Sequence, residues 1–477
     1  MKAAWVAAGL CLVACGDDNN QNPSIDAPPN VVPDAPPAPD APPAAPFVKP
    51  TPFSVPLSAA GPDQLQSATA APDGKFYAAG FAAQTVAGPK AVVVVKYGLT
   101  GPDATFGQGG VVVAPVESTG GADEIDVITQ ADGKVLVSAT TPAAGNAADR
   151  DIAVIRLTTA GALDPTFGTN GVARISLNTG LQNGANVVGA DAARSIAVDN
   201  NGIYVHGAAR AFGEDAEGNP RTDTDFAVVR LTSAGVVDTT FGTDGQFRLD
   251  IQRTNATPRG IVTLPDGSLI ASGYTNSPGL GSTQPVLYKL TSAGALQTNW
   301  GTGGLFHDVV FLRQTEVYNI ALHDTFFTTG GYGRDVGETN DWISLKFNVA
   351  TGARDINFGN QNGGAFFDPS GAMLGSNCRN AIALPGGKTL LTGSTGPANM
   401  PAQDAVFAII DSTGKLDPEY LAMPHVFKLG ADGNDQFWGA AVSGNNVTVV
   451  GYKGGGPAAM QTDTVNDDSF GVVFQVR

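Results

Sequence analysis

The sequence predicts an all-β fold: a seven-bladed β-propeller of four-stranded antiparallel blades, closed by the N-terminal strand pairing into the last blade. Three observations carry that prediction. Glycine (61) and proline (32) are abundant and charged residues make up only 15%, which suits many short strands and turns rather than long helices. The apolar runs, "AVVVVKY" and "IAVIRL" among them, are short and β-branched. A unit of about sixty residues then recurs along the chain, and a period of this kind signals a tandem architecture.

Each unit opens with a strand of small apolar residues and reaches a tight turn. The clear turns are "PDGK" (72–75), "ADGK" (131–134), "NNG" (200–202) and "PDGS" (265–268); "HDT" (323–325), "PGGK" (385–388) and "SGNN" (443–446) are fainter copies. A second strand follows, usually ending in glycine, as in "KFYAAG" and "IYVHG". Asp-Gly between two apolar runs predicts a type I′ hairpin, which needs positive φ at its central residues. The third strand is "AVVVVKY", "DIAVIRL", "DFAVVRL", "PVLYKL", "DWISLKF", "DAVFAII" or "DSFGVVF".

A loop written six times comes next: "GPDATFGQGG" (101–110), "LDPTFGTNG" (163–171), "VDTTFGTDG" (237–245), "LQTNWGTGG" (296–304), "DINFGNQNGG" (355–364) and "LDPEY" (416–420). A single active site needs its constellation once, whereas packing between repeated sheets needs it in every copy. The loop is therefore read as a structural turn. Phe106, Phe167, Phe241, Trp300, Phe358 and Tyr420 are expected to wedge within or between blades, and Asp164 and Asp238 to bond turn amides. Arg156 and Arg230, which close third strands, are expected to reach those acids.

The first three strands occur seven times, but the loop and fourth strand only six. "FSVPLSAAGPDQ" (53–64) resembles "FKLGADGNDQ" (427–436), so Phe53–Leu57 is expected to supply the missing fourth strand to the blade of residues 435–475. The propeller then occupies residues 51–477.

"PDGK", "DxAVxRL" and "LDxTFGxxG" at this spacing resemble the delta-60 repeat family of bacterial exported proteins. The resemblance covers residues 51–477, strongly to about 304 and more faintly beyond. Trp300 and Tyr420 replace the phenylalanine of the pattern, and Ile409 and Val473 its basic residue. The resemblance implies a repeat fold and no particular reaction.

Residues 1–14, "MKAAWVAAGLCLVA", carry one basic residue and an apolar run too short to span a bilayer convincingly, and read as a signal peptide. "LVAC" resembles the bacterial lipobox, which implies lipid on Cys15 and an envelope location, expected at the outer membrane on its periplasmic or surface face. Residues 15–50 repeat "DAPP" and favour an extended polyproline-like stalk. After processing, Cys378 is the sole cysteine without lipid, so no intramolecular disulfide is expected.

A formal charge of −17 argues against a nucleic-acid partner. No cofactor or metal ligand set is expected: the four histidines fall at different strand levels, and no nucleophile elbow, P-loop or HExxH is present. The acidic stretch "DAEGNPRTDTD" (215–225) reads as an inserted loop without EF-hand ligand order. The candidate site comes from departures from the repeat. Counting seven residues back from each turn acid gives Gln66, Ile125, Arg194, Arg259, Val317, Arg379 and Phe437 at one level of the first strands. The next level holds Ser67, Asp126, Ser195, Gly260, Tyr318, Asn380 and Trp438, with Glu316 nearby. First strands line a propeller's channel, so Arg194, Arg259, Arg379, Gln66, Asp126, Glu316, Tyr318 and Trp438 are the candidate ligand-binding residues at its mouth. The expected function is a binding or interaction scaffold for a protein, peptide or saccharide. A hydrolase or lyase acting in the channel on a small polar or saccharide substrate, and a purely structural envelope role, are the alternatives.

Overall fold

The computed structural model describes residues 46–476 apart from 56, 59–60, 86, 120–124, 178–180, 183–184, 187–190, 278–281, 337–338, 372–373, 397–402, 430–433 and 455–467. The expected signal peptide, Cys15 and nearly all of the stalk lie outside the described residues. The chain divides into two units, Met1–Pro46 and Phe47–Arg477, and every described strand lies in the second. The fold is all-β and propeller-like, built from open four-stranded antiparallel sheets. Among the described residues there is no α-helix, only the short 3₁₀ segments Pro385–Gly387 and Pro418–Tyr420.

One sheet shows the plan: Ala192–Val198, Ile203–Arg210, Thr224–Leu231 and Gln246–Leu249 lie side by side in chain order. The strands starting at Asp126, Val135, Asn146 and Val172 repeat it, as do those starting at Ser376, Lys388, Asp404 and His425. In the sheet of Asp63–Ala70, Phe76–Ala83 and Lys90–Gly98, the fourth strand Val111–Ser118 joins beside a two-residue strand, Gly101–Pro102. Two more sets, beginning at Ala256 and Gln314, are linked by one parallel bridge, Thr283 to Gln314. In the last sheet Phe53–Ser54 supplies the fourth strand: Phe53 pairs with Gly471, Ser54 with Phe470, and Val55 N–H donates to the Ser469 carbonyl at 2.9 Å.

The hairpin expectation needs correction. In "PDGK", Ala71 N–H donates to Lys75 O at 2.8 Å and Gly74 N–H to Ala71 O at 3.1 Å. Only Gly74 has positive φ (82°); Asp73 does not. This is a three-residue loop in which the glycine alone takes positive φ, not a type I′ turn, and Pro72 suits its first position by presetting negative φ. "ADGK" and "PDGS" close in the same way around Gly133 and Gly267.

The sixfold loop clasps neighbouring sheets. Gly107, Gly168, Gly242, Gly301 and Gly359 each donate their N–H to a carbonyl in the next sheet's third-strand turn: Ala160, Ala234, Ala293, Thr351 and Thr413, at 2.8–2.9 Å. A glycine in that receiving turn permits the approach; a Cβ on Gly235 would stand 2.8 Å from the Phe167 ring. The loop aromatics are buried as expected. Arg156 donates Nε to Asp164 at 2.8 Å, stacks 4.5 Å over Phe167 and bonds the Ser233 carbonyl of the next sheet. Arg230 does the same with Asp238, Phe241 and Ser292. Where Ile409 interrupts the pattern, Lys388 reaches Asp417 at 3.0 Å from the neighbouring strand. The core is correspondingly a series of slabs between sheets: Leu136, Val154 and Phe167 of one pack on Val205 and Val229 of the next.

A recess lined by bulged first strands

Six first strands lose register with their partners at one level. The shifts fall between Leu65 and Ser67, Ala193 and Ser195, Pro258 and Ile261, Val317 and Ile320, Cys378 and Asn380, and Phe437 and Gly439. A bulge leaves one residue outside the ladder and re-aims its side chain. The residues so released are Gln66, Arg194, Arg259, Tyr318, Arg379 and Trp438, and with Ile125 they line one recess of about 70 Å³.

The recurrent glycine of the second strand makes room for the bulge. A Cβ on Gly80, Gly207, Gly273, Gly331, Gly393 or Gly451 would lie 1.8–2.3 Å from a carbonyl oxygen just before the shift. Ala139 holds this place in the remaining sheet.

Two of the expected levels were off by one. Val317 and Phe437 are fully buried core residues, while Tyr318 and Trp438 take the bulge position and Asn319 and Gly439 the position after it. Asp73, Asn201 and Asp266 are the third residues of their hairpins, but in 323–326 and 443–446 the third residue is Thr325 and Asn445, one past Asp324 and Gly444, so counting back from those slips by one.

The floor of the recess is a second tier of small polar groups. The Asp126 carboxylate accepts from Ser67 Oγ, Ser195 Oγ (2.8 Å) and the amides of Ile196 and Val127 (both 2.9 Å). Burial pushes this carboxyl above the usual range, against those four bonds. Asn319 Nδ2 donates to Asn380 Oδ1 at 2.7 Å, and Asn380 Nδ2 to the Trp438 carbonyl at 3.1 Å. Gly260 and Gly439 complete the tier where no side chain fits: a Cβ would stand 2.5 Å from Asn319 Oδ1 and 2.6 Å from the Ser67 backbone, respectively.

Above the floor, Tyr318 organises the charge. Its hydroxyl accepts from Arg259 Nη2 at 3.1 Å and from Arg379 Nη1, and donates to Glu316 Oε2 at 3.2 Å. Arg259 also donates to the Tyr274 hydroxyl at 2.8 Å and lies 4.1 Å over the Tyr318 ring. Arg379 lies 4.7 Å over Trp438 and 5.7 Å over Tyr332. Burial pushes the Tyr318 phenol well up, so it is neutral at pH 7. Glu316 does not line the recess; it stands behind Tyr318 and also accepts from Gln314. Tyr274 and Tyr332, from second strands, escaped the sequence reading because only the fold brings them to this level.

Other chemistry-bearing residues lie elsewhere. Burial lowers His206 to about 4, and its ring is held by the Gly260 carbonyl and the Tyr288 hydroxyl. Burial pushes the Cys378 thiol up to about 12. Beside the inserted loop, the carboxylates of Asp223, Asp225 and Asp250 gather within 4.8 Å, and Arg221 bridges Asp223 and Asp250.

A family model described as a domain of unknown function (DUF5122) beta-propeller matches residues 130–167 and 218–241. Both segments run through a third strand into the sixfold loop. Solved structures similar to this chain include a protein of unknown function from Dyadobacter fermentans (13% identity, 89% of this chain and 99% of that one, TM-score 0.39). The β-propeller domain of the trilobed protease from Pyrococcus furiosus, described as having an open velcro topology, matches at 11% identity over 87% and 97%, TM-score 0.41. The polysaccharide lyase Uly1 matches at 10% identity over 85% and 88%, TM-score 0.44. No curated protein matches the chain. Two segments of this chain are thus matched by a β-propeller repeat model, in keeping with its all-β, propeller-like architecture.

Proposed function

We propose that this protein is an exported lipoprotein, anchored through Cys15, whose propeller binds a small polar ligand or the exposed group of a larger one. A propeller-like fold serves in general as an interaction scaffold. We read the sheets as seven blades around one axis, belonging to the delta-60 type of repeat, with Phe53–Ser54 closing the ring. The pairing of Phe53 with Gly471 and the contact of Gly439 with Ser67 support this reading. The observation that carries the binding role is the convergence of bulged side chains from separate sheets, three of them arginines, on one recess in a chain of net charge −17. The lining favours binding over hydrolysis or elimination: among the described residues its one carboxylate, Asp126, is engaged by four donors, and no histidine lines it.

Calorimetry of the full chain against soluble organic acids, oligosaccharides and peptides tests the role, with Arg194→Gln as the comparison. A ligand should emerge whose affinity falls about tenfold in the variant, the scale of a lost charge-assisted bond. Binding indifferent to Arg194 would place the site elsewhere. Palmitate labelling that survives Cys15→Ser would refute the anchor.

A further inference from the structure

The Arg379 side chain is partly buried, its described contacts are to neutral groups, and the Glu316 carboxylate acts on it only through space. Nη1 donates to the Tyr318 phenol, and the plane rests on the rings of Trp438, Tyr318 and Tyr332. Its Nε is buried without a hydrogen-bond partner among the described residues. So is the indole Nε1 of Trp438, a residue only 6% exposed. Both residues line the recess. Burying these two donors is unfavourable unless an acceptor completes them.

Among the described residues, the two nearby carboxylates do not supply it. Asp126 accepts from serine hydroxyls and backbone amides of the floor, and Glu316 from Tyr318 and Gln314. The volume limits what enters. About 70 Å³ accommodates a few water-sized groups, at roughly 10–15 Å³ for one on the same measure, and falls short of the roughly 300 Å³ of a site that engulfs its ligand. The flanking aromatic faces are already stacked on guanidinium groups, which leaves no platform for a sugar ring. A planar carboxylate has the required size and two in-plane acceptors for a guanidinium edge and an indole N–H.

We propose that the recess takes the carboxylate group of a small organic acid, with Arg379 and the Trp438 indole N–H as its donors. The rest of the ligand stays outside the cavity. The assignment rests on the binding role given to the recess above.

The test is calorimetric titration of the full chain, at constant ionic strength, with acetate, glucuronate and neutral glucose against a chloride control. Trp438→Phe keeps a ring beside Arg379 and removes only the donor; Arg379→Lys keeps the charge and removes the fork. Near-UV circular dichroism reports that each variant is folded. Acetate and glucuronate should both bind, each weakened about tenfold by Trp438→Phe and at least as much by Arg379→Lys, the scale of one charge-assisted bond. Tighter glucuronate would identify a sugar acid as the source of the group, and equal affinities a short organic acid. Carboxylate binding unchanged in folded Trp438→Phe would overturn the assignment. Glucose binding that depends on Arg194, without any carboxylate binding, would overturn it too while leaving the binding role intact. Silence of all three probes together with the wider ligand panel would remove both.

Discussion

Single residues in this chain act mainly through where the backbone puts them. Asp225 illustrates the cost of an ill-compensated one. It is 6% exposed, its Oδ1 has no hydrogen-bond partner among the described residues, and Arg221 is occupied by Asp223 and Asp250. Burial, with the Asp250 charge adding to it, raises its pKa to about 6, against the pull of Arg248 and Arg221. A folded-state pKa above the unfolded one means that the folded chain holds the proton more tightly. Stability from this group is therefore full below about pH 4 and falls as pH rises through about 6. Asp225→Asn should raise stability at pH 7.5 by up to about 2–3 kcal/mol and change it little at pH 4. Urea unfolding at the two pH values measures this; a variant no more stable at pH 7.5 than the parent would contradict the assignment.

At the scale of the element, the bulge and its glycine form one device. Gly331 has an ordinary backbone conformation, so any effect of Gly331→Ala is steric: the new Cβ would meet the Glu316 carbonyl oxygen at 1.9 Å. The first strand must shift, and Tyr318 with it. The expected cost is about 3 kcal/mol or more, in the range of severe overpacking. Gly74→Ala is the control, with open space around it and only positive φ (82°) to oppose it, worth about 1–2 kcal/mol. Denaturant midpoints for the two variants decide the matter; equal losses would mean that Gly331 is not there for the bulge.

Much of this device was legible in the sequence. The second-strand glycine recurs in "YAAG", "YVHG", "IASG", "LLTG" and "TVVG", and the residues that interrupt the repeat do meet at one level. The slip at Val317 and Phe437 came from Asp324 and Gly444, which stand second in their hairpins where Asp73, Asn201 and Asp266 stand third, a difference that changes no apolar pattern. The type I′ expectation failed because Asp-Gly here ends a three-residue loop whose glycine alone takes positive φ, after Ala131 as after Pro72. Lys388 reaches Asp417 as Lys75 and Lys134 reach Asp103 and Asp164, so the loop acid keeps a cation where Ile409 replaces the third-strand basic residue; that the hairpin lysine serves this acid was illegible, since the contact crosses between strands. Tyr274 and Tyr332 escaped for the same reason: their place beside Arg259 and Arg379 is a product of strand pairing.

For the whole molecule, the proposed ring requires the N-terminal strand to belong to the last sheet, because the first strands would then surround one axis and share a recess. Phe53 opposite Gly471, the Val55 amide on the Ser469 carbonyl and Asp63 accepting from Ser469 N–H at 2.7 Å bind head to tail. A proline is tolerated in an edge strand only where its missing N–H faced solvent, and the Val55 N–H does not. The most direct measurement is amide hydrogen exchange on the full chain carrying Val55→Pro. Exchange across Asp468–Gln475 should accelerate at least about tenfold, the loss of roughly one hydrogen bond's worth of local stability, while Ala192–Val198 keeps its protection. Unchanged protection of Asp468–Gln475 would contradict the ring and, with it, the shared recess.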